Sequence, residues 1–205
     1  MERNIIILTY MIKKGLLSIF MMFAVAFASF AQKSSELVYT DVEEFATLIN
    51  QGFGNTEMRY SRIPADLKDQ TRKDVWDLGL NSAGIAIRFS SNAKAMGAQW
   101  TLLNNFKMNH MPGTGIRGID LYALVDGEWR HVGTAQPNGK ESRNLFFRNG
   151  DGSEREYLAY LPLYDGVEKL SIGVDSTATR SAPKAVTFKR RTPFVTSGTS
   201  ITHAG

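Results

Sequence analysis

The chain has three histidines, at 110, 131 and 203, and no cysteine. The missing thiols exclude disulfides, thiolate metal sites and a cysteine nucleophile together. Three scattered histidines are too few for a histidine-based metal cluster, and His131 falls in a strand of a hairpin, so no metal is expected. His110 stands in the turn-rich run Asn109-His110-Met111-Pro112. There it either touches a ligand or neighbouring domain, or fixes the loop through a hydrogen bond. Asp151 and Asp175 lie beside turns, where a carboxylate suits Ca²⁺ but is also ordinary turn chemistry. Asp120 alternates with Ile119 and Leu121, so it projects from the opposite face, fixed by backbone or arginine hydrogen bonds. Trp76, Trp100 and Trp129 are core residues before they are sugar platforms. Trp129, just after a surface turn, is the exception and a candidate binding residue with His110.

The elements that must position these groups read mostly as strands. Ile85, Ile87 and Phe89 share one face of Gly84–Phe89, with Arg88 on the other. Ala98, Trp100 and Leu102 do the same in the next run. Ile119–Val125 meets Asp126-Gly127 and then Glu128–Val132, a hairpin whose turn positions both require positive φ. Glu156–Leu161 and Leu170–Val174 complete the set, with turns at Asn149–Gly152 and Tyr164–Gly166. Thr40-Asp41-Val42-Glu43 matches a helix capping box, with Phe45, Leu48 and Ile49 behind it, but a strand over 46–50 fits as well. Short strands, regular turns, no long helical pattern and no internal repeat predict an all-β antiparallel sandwich or jelly roll. The 12 Phe, 7 Tyr and 3 Trp supply its core.

The start of the chain reads as an export signal. Lys13-Lys14 precedes the apolar run Leu16–Ala28, and Ser29-Phe30-Ala31 places small residues at −3 and −1. The run is shorter than the roughly 20 apolar residues of a membrane span, and no cysteine follows it to carry a lipid. Met11 heads a more compact basic segment than Met1 and is the better initiator. Cleavage after Ala31 removes Arg3, Lys13, Lys14 and Glu2 and leaves 21 basic and 19 acidic residues. That slight excess does not suit a nucleic-acid binder. The mature protein is expected in the periplasm or outside the cell, off the membrane.

Ser176–Lys184 lacks large apolar residues and reads as the beginning of a linker. The run Lys189-Arg190-Arg191 is a solvated edge before it is a binding patch. Thr192-Pro193-Phe194-Val195-Thr196-Ser197 then looks like a fresh strand running into Gly198-Thr199-Ser200-Ile201-Thr202.

Gly118-Ile119-Asp120-Leu121-Tyr122 resembles the G-x-D-L-Y signature of the N-terminal domain of bacterial SGNH/GDSL-type hydrolases. Val75–Leu78, Asn81–Gly84, His110–Gly115, Arg155–Tyr157 and Leu161–Tyr164 agree with it in order, over roughly residues 40 to 176. Gly198–Thr202 resembles the nucleophile block of the catalytic domain that follows. The resemblance implies a β-sandwich ahead of an α/β/α esterase domain. It implies a signal peptide over 1–31, the sandwich over 32–176, a linker over 177–191 and a truncated SGNH stub over 192–205. It makes Ser200 the candidate nucleophile, with oxyanion donors and an Asp-x-x-His pair from later blocks absent from these 205 residues. His203 would share a helix face with Ser200, yet the imidazoles of working sites usually come from elsewhere in the fold. The implied activity is hydrolysis of a carboxylic ester, plausibly an acylated carbohydrate, without a cofactor, by a partner domain this chain would need. The rival is a non-catalytic jelly roll that binds glycans, which requires two or more of Trp76, Tyr122, Trp129 and Tyr160 to be coplanar and exposed.

Overall fold

Alternating apolar residues give this chain strands with one greasy face each, and two such faces close on one another. A computed structural model describes residues 36–184. Its strands are β1 (Val38–Asp41), β2 (Thr47–Ile49), β3 (Ala86–Ser91), β4 (Met96–Leu102), β5 (Ile119–Val125), β6 (Glu128–Ala135), β7 (Glu141–Phe147), β8 (Arg155–Tyr160), β9 (Val167–Val174) and β10 (Arg180–Ser181). Two short helices, α1 (Lys73–Gly79) and α2 (Gly113–Arg117), lie in the connections.

One sheet has four strands in the order β1-β9-β4-β7. The other has six, in the order β10-β3-β8-β5-β6, with β2 also paired to β3. All pairings are antiparallel. Ile87, Phe89, Leu121 and Tyr157 from the larger sheet meet Met96, Trp100, Leu170 and Ile172 from the smaller in one buried cluster. This is the all-β sandwich expected from the alternation.

Local chemistry explains where the regular pattern bends. Asp126 and Gly127 adopt φ of 52° and 82°, the mirror-image turn that matches strand twist. A register shift between Thr101 and Leu102 lets β9 spend two exposed residues, Glu168 and Lys169, between inward-facing Val167 and Leu170. A second shift between Leu121 and Tyr122 sets Tyr122 opposite His131.

Both readings of residues 40–50 hold in part. A 3-10 turn covers Val42–Glu44, and β2 follows it. The cap is Asp41 rather than Thr40, because the Asp41 carboxylate accepts the Glu43 N–H at 2.9 Å. The helices were not expected. α1 has seven residues and no side-chain cap, so it leaves almost no periodic trace; docking of Trp76 and Gly79 holds it. The stretch expected as linker is partly structured. The Thr179 N–H donates to Asn92 Oδ1 at 2.8 Å, and Arg180-Ser181 pair with Ser91 and Ser90. Two-residue strands carry no hydrophobic period, so composition alone reads them as spacer. The signal segment and residues 185–205, with the basic run and the nucleophile block, lie outside the described residues.

Candidate functional site

The G-x-D-L-Y segment shows what each position does. At Gly118 a Cβ would stand 2.4 Å from the Thr114 carbonyl oxygen, so only glycine lets β5 leave α2 this closely. Ile119 and Leu121 are fully buried in the sandwich core. Asp120 and Tyr122 point the other way, onto the outer face of the six-stranded sheet. Asp120 Oδ1 accepts the Thr134 hydroxyl at 2.5 Å, so its holder is a threonine rather than the backbone or an arginine.

His131 Nε2 lies 3.3 Å from the same Thr134 oxygen. This trio does not have the order of a hydrolytic triad, in which imidazole stands between carboxylate and hydroxyl. Here the hydroxyl is in the middle and gives its proton to Asp120, so the arrangement orients side chains without activating a nucleophile. Tyr122 packs edge-on against His131 and Tyr160, at interplanar angles of 73° and 86°. Beyond them the Trp129 ring lies under the Arg88 guanidinium, 5.5 Å from ring centroid to carbon. Arg88 and Glu156 form an ion pair that is almost wholly buried.

The loop between β4 and α2 is set by a second network. Asp165 is fully buried, and its carboxylate accepts the backbone N–H groups of Asn104 (2.9 Å), Asn105 (2.7 Å), Phe106 (3.2 Å) and Gly166 (2.9 Å), with the Asn104 amide at 3.3 Å. Asn105, at φ 94°, turns its side-chain oxygen to the Arg117 guanidinium. The Trp100 indole N–H reaches the Arg117 carbonyl at 3.2 Å. These residues carry the loop. Beside it Leu78, Leu103, Asn104 and Phe106 line a cleft of about 260 Å³ with the Lys73–Asp77 ion pair.

His110 stands exposed in that loop and makes no hydrogen bond or ion pair within the described residues, so fixing the loop falls to Asp165. Trp100 is core, and Trp76 is buried with the Lys68 ammonium over its ring. Trp129 remains 39% exposed. Tyr122 and Tyr160 are perpendicular and Trp76 is buried, so these three form no coplanar exposed platform.

The turn carboxylates have protein partners. The Arg155 guanidinium, helped by the Ser153 N–H, holds Asp151 well below the usual carboxylate range. For Asp175 partial burial opposes ionisation, but the N–H groups of Lys94 (2.7 Å) and Ala95 (3.1 Å) outweigh it and the net shift is downward. Among the described residues no three acids or histidines gather as metal ligands. Ser200 and His203 lie outside the described residues.

Sequence reasoning missed Asp165, Asn105 and Arg117. Tyr164-Asp165-Gly166 reads as a surface turn, and nothing local announces that its acid is buried under another loop.

Known proteins agree with this geometry. The family model described as GxDLY, the N-terminus of SGNH-hydrolase-type esterases, matches residues 37–179. A crystal structure from Bacteroides ovatus, described as a candidate GDSL-like lipase, aligns with a TM-score of 0.68 and 29% identity, over 73% of this chain and 44% of that one. The salicylyl-acyltransferase SsfX3 of a tetracycline biosynthetic pathway shares the fold, with a TM-score of 0.51 and 9% identity over 73% of this chain and 42% of that one. The matched part is thus less than half of either solved chain. No curated protein matches. With the family model spanning well over half of its length, the chain belongs to the GxDLY family, the N-terminal domain of SGNH-type esterases.

Proposed function

We propose that this chain is the accessory β-sandwich of an exported carboxylic ester hydrolase, and that it contributes the opening of the catalytic domain without its general base. The family match over residues 37–179, to a domain defined as the N-terminus of esterases, carries this reading. The likeness to a lipase-like chain more than twice as long as the matched part supports it.

In this reading the Ser200 Oγ attacks the acyl carbonyl and passes its proton to a histidine base outside these 205 residues. Backbone N–H groups hold the oxyanion, the alcohol leaves, and water releases the acid. The sandwich packs beside that domain, and an acylated carbohydrate is the proposed substrate class. The described residues offer no substitute catalytic pair: His131 bonds Thr134, whose proton already goes to Asp120.

The test compares p-nitrophenyl acetate hydrolysis by the 205-residue chain, its Ser200→Ala variant, and a longer chain in which an SGNH domain continues from Gly205. The short pair should be indistinguishable. The long chain should turn over and lose roughly a thousandfold with Ser200→Ala. Ser200-dependent turnover by the short chain would overturn the division of labour, and an inactive long chain would overturn the esterase reading.

A further inference from the structure

A two-layer sandwich buries one face of each sheet, and the smaller sheet follows that rule. The six-stranded sheet does not. In β8, Glu156, Tyr157, Leu158 and Ala159 are buried consecutively, and in β3 every residue is buried except half-buried Arg88. Continuous burial along a strand is the mark of a sheet covered on both sides.

Register defines the second covered face. Arg88 stands beside Leu158, Leu158 beside Tyr122, and Tyr122 beside His131; in the adjacent rows Ser90 faces Glu156 and Leu124 faces Trp129. Leu158 is 7% exposed yet takes no part in the inter-sheet core. The Ser90 hydroxyl is buried there with no hydrogen-bond partner, an arrangement that costs free energy unless a further group supplies one.

Two features show what lies on this face. Trp129 folds back under Arg88. The described chain itself leaves across it: Glu156 uses Oε2 for Arg88, while its Oε1 accepts the backbone N–H of Lys184 at 3.2 Å. Lys184 is the last described residue, so the chain is already on this face where the description ends.

We propose that residues 185–205 dock on the outer face of the six-stranded sheet as a third layer, anchored at Glu156 and running over Leu158, Tyr122 and Leu124 toward Trp129. Val186, Phe188 and Phe194 supply the apolar contacts. The distance from β8 to β6 is only about 10 Å, and a few extended residues cross it. The proposal stands apart from the esterase reading; where both hold, the catalytic domain is held against this face.

Trypsin reads it out at Lys189-Arg190-Arg191, with the full chain compared with a free peptide of residues 183–200. The full chain should be cut there about tenfold more slowly than the peptide, because cleavage follows the undocked fraction. Leu124→Asp and Trp129→Ala should restore the fast rate; Gln99→Asp, on the outer face of the other sheet, should not. Cleavage of the unaltered chain at the peptide's rate overturns the proposal, as does protection that the outer-face variants leave intact. The first comparison needs no variant, and neither bears on Ser200-dependent turnover.

Discussion

Asp165 shows how much one side chain can organise. Its carboxylate gathers four backbone N–H groups from two loops that are about sixty residues apart in sequence. Asp165→Ala strands those donors in a site that water does not reach, a loss on the order of 3 kcal/mol. Urea denaturation should show it as a lowered midpoint with an unchanged slope. Asp165→Asn keeps an acceptor and should cost less, so an equal loss from both would place the effect in charge rather than in donor satisfaction. Gly118 makes a sharper point, since its φ of −74° is open to any residue. Gly118→Ala should still cost roughly 2 kcal/mol, because the added methyl group meets the Thr114 carbonyl, a backbone atom that cannot swing away. The signature glycine was legible as a motif, and its reason was not, because the obstruction comes from the helix before it.

Among the elements, the strands that one residue in two makes apolar were legible, and those held by the main chain alone were not. β3, β4, β5 and β9 announce themselves through Ile87, Trp100, Leu121 and Ile172. β10 is a strand only because Ser90 and Ser91 offer it an edge, and α1 is a helix only because Trp76 has somewhere to dock. The candidate site divides the same way. Asp120 and Tyr122 follow from alternation, whereas the Arg88–Glu156 pair depends on a register linking residues 68 apart. The turn after β9 has a pH signature. Asp175 ties it to Lys94 and Ala95, and its pKa is lowered in the fold. A lowered carboxylate pKa adds stability above the unfolded value near 4, and that increment is lost as pH falls through the folded value. Asp175→Asn should therefore cost about 1 kcal/mol at pH 7 and progressively less below pH 4. Melting curves across that range would show the two proteins converging at the acid end, and a constant gap would remove the carboxylate's charge as the cause.

At the scale of the whole molecule, the order of strands in space makes the end of the chain indispensable to its beginning. β9 is the last long strand, yet it sits inside the smaller sheet, paired to β1 on one side and β4 on the other. Residue 38 meets residue 174, and the Arg180 guanidinium reaches the Val38 carbonyl at 2.9 Å. Such distant pairings are formed late and slowly, since the chain entropy must be lost before the contact rewards it. β9 also brings Val167, Leu170, Ile172 and Val174, all buried, into the shared core. At about 1.5–3 kcal/mol for each such side chain, their burial rivals the 5–15 kcal/mol by which a domain of this size is stable. A chain ending at Asp165 should therefore lose the whole sandwich. The expected result is a broad, non-sigmoidal urea response, no near-ultraviolet signal from Trp100, and binding of a hydrophobic dye. If that shortened chain instead kept a sharp transition with Trp100 still immobile, the six-stranded sheet would be a folding unit by itself. The smaller sheet would then be a cover added to it, and the single cluster joining Phe89 to Ile172 would no longer be what makes the two sheets one body.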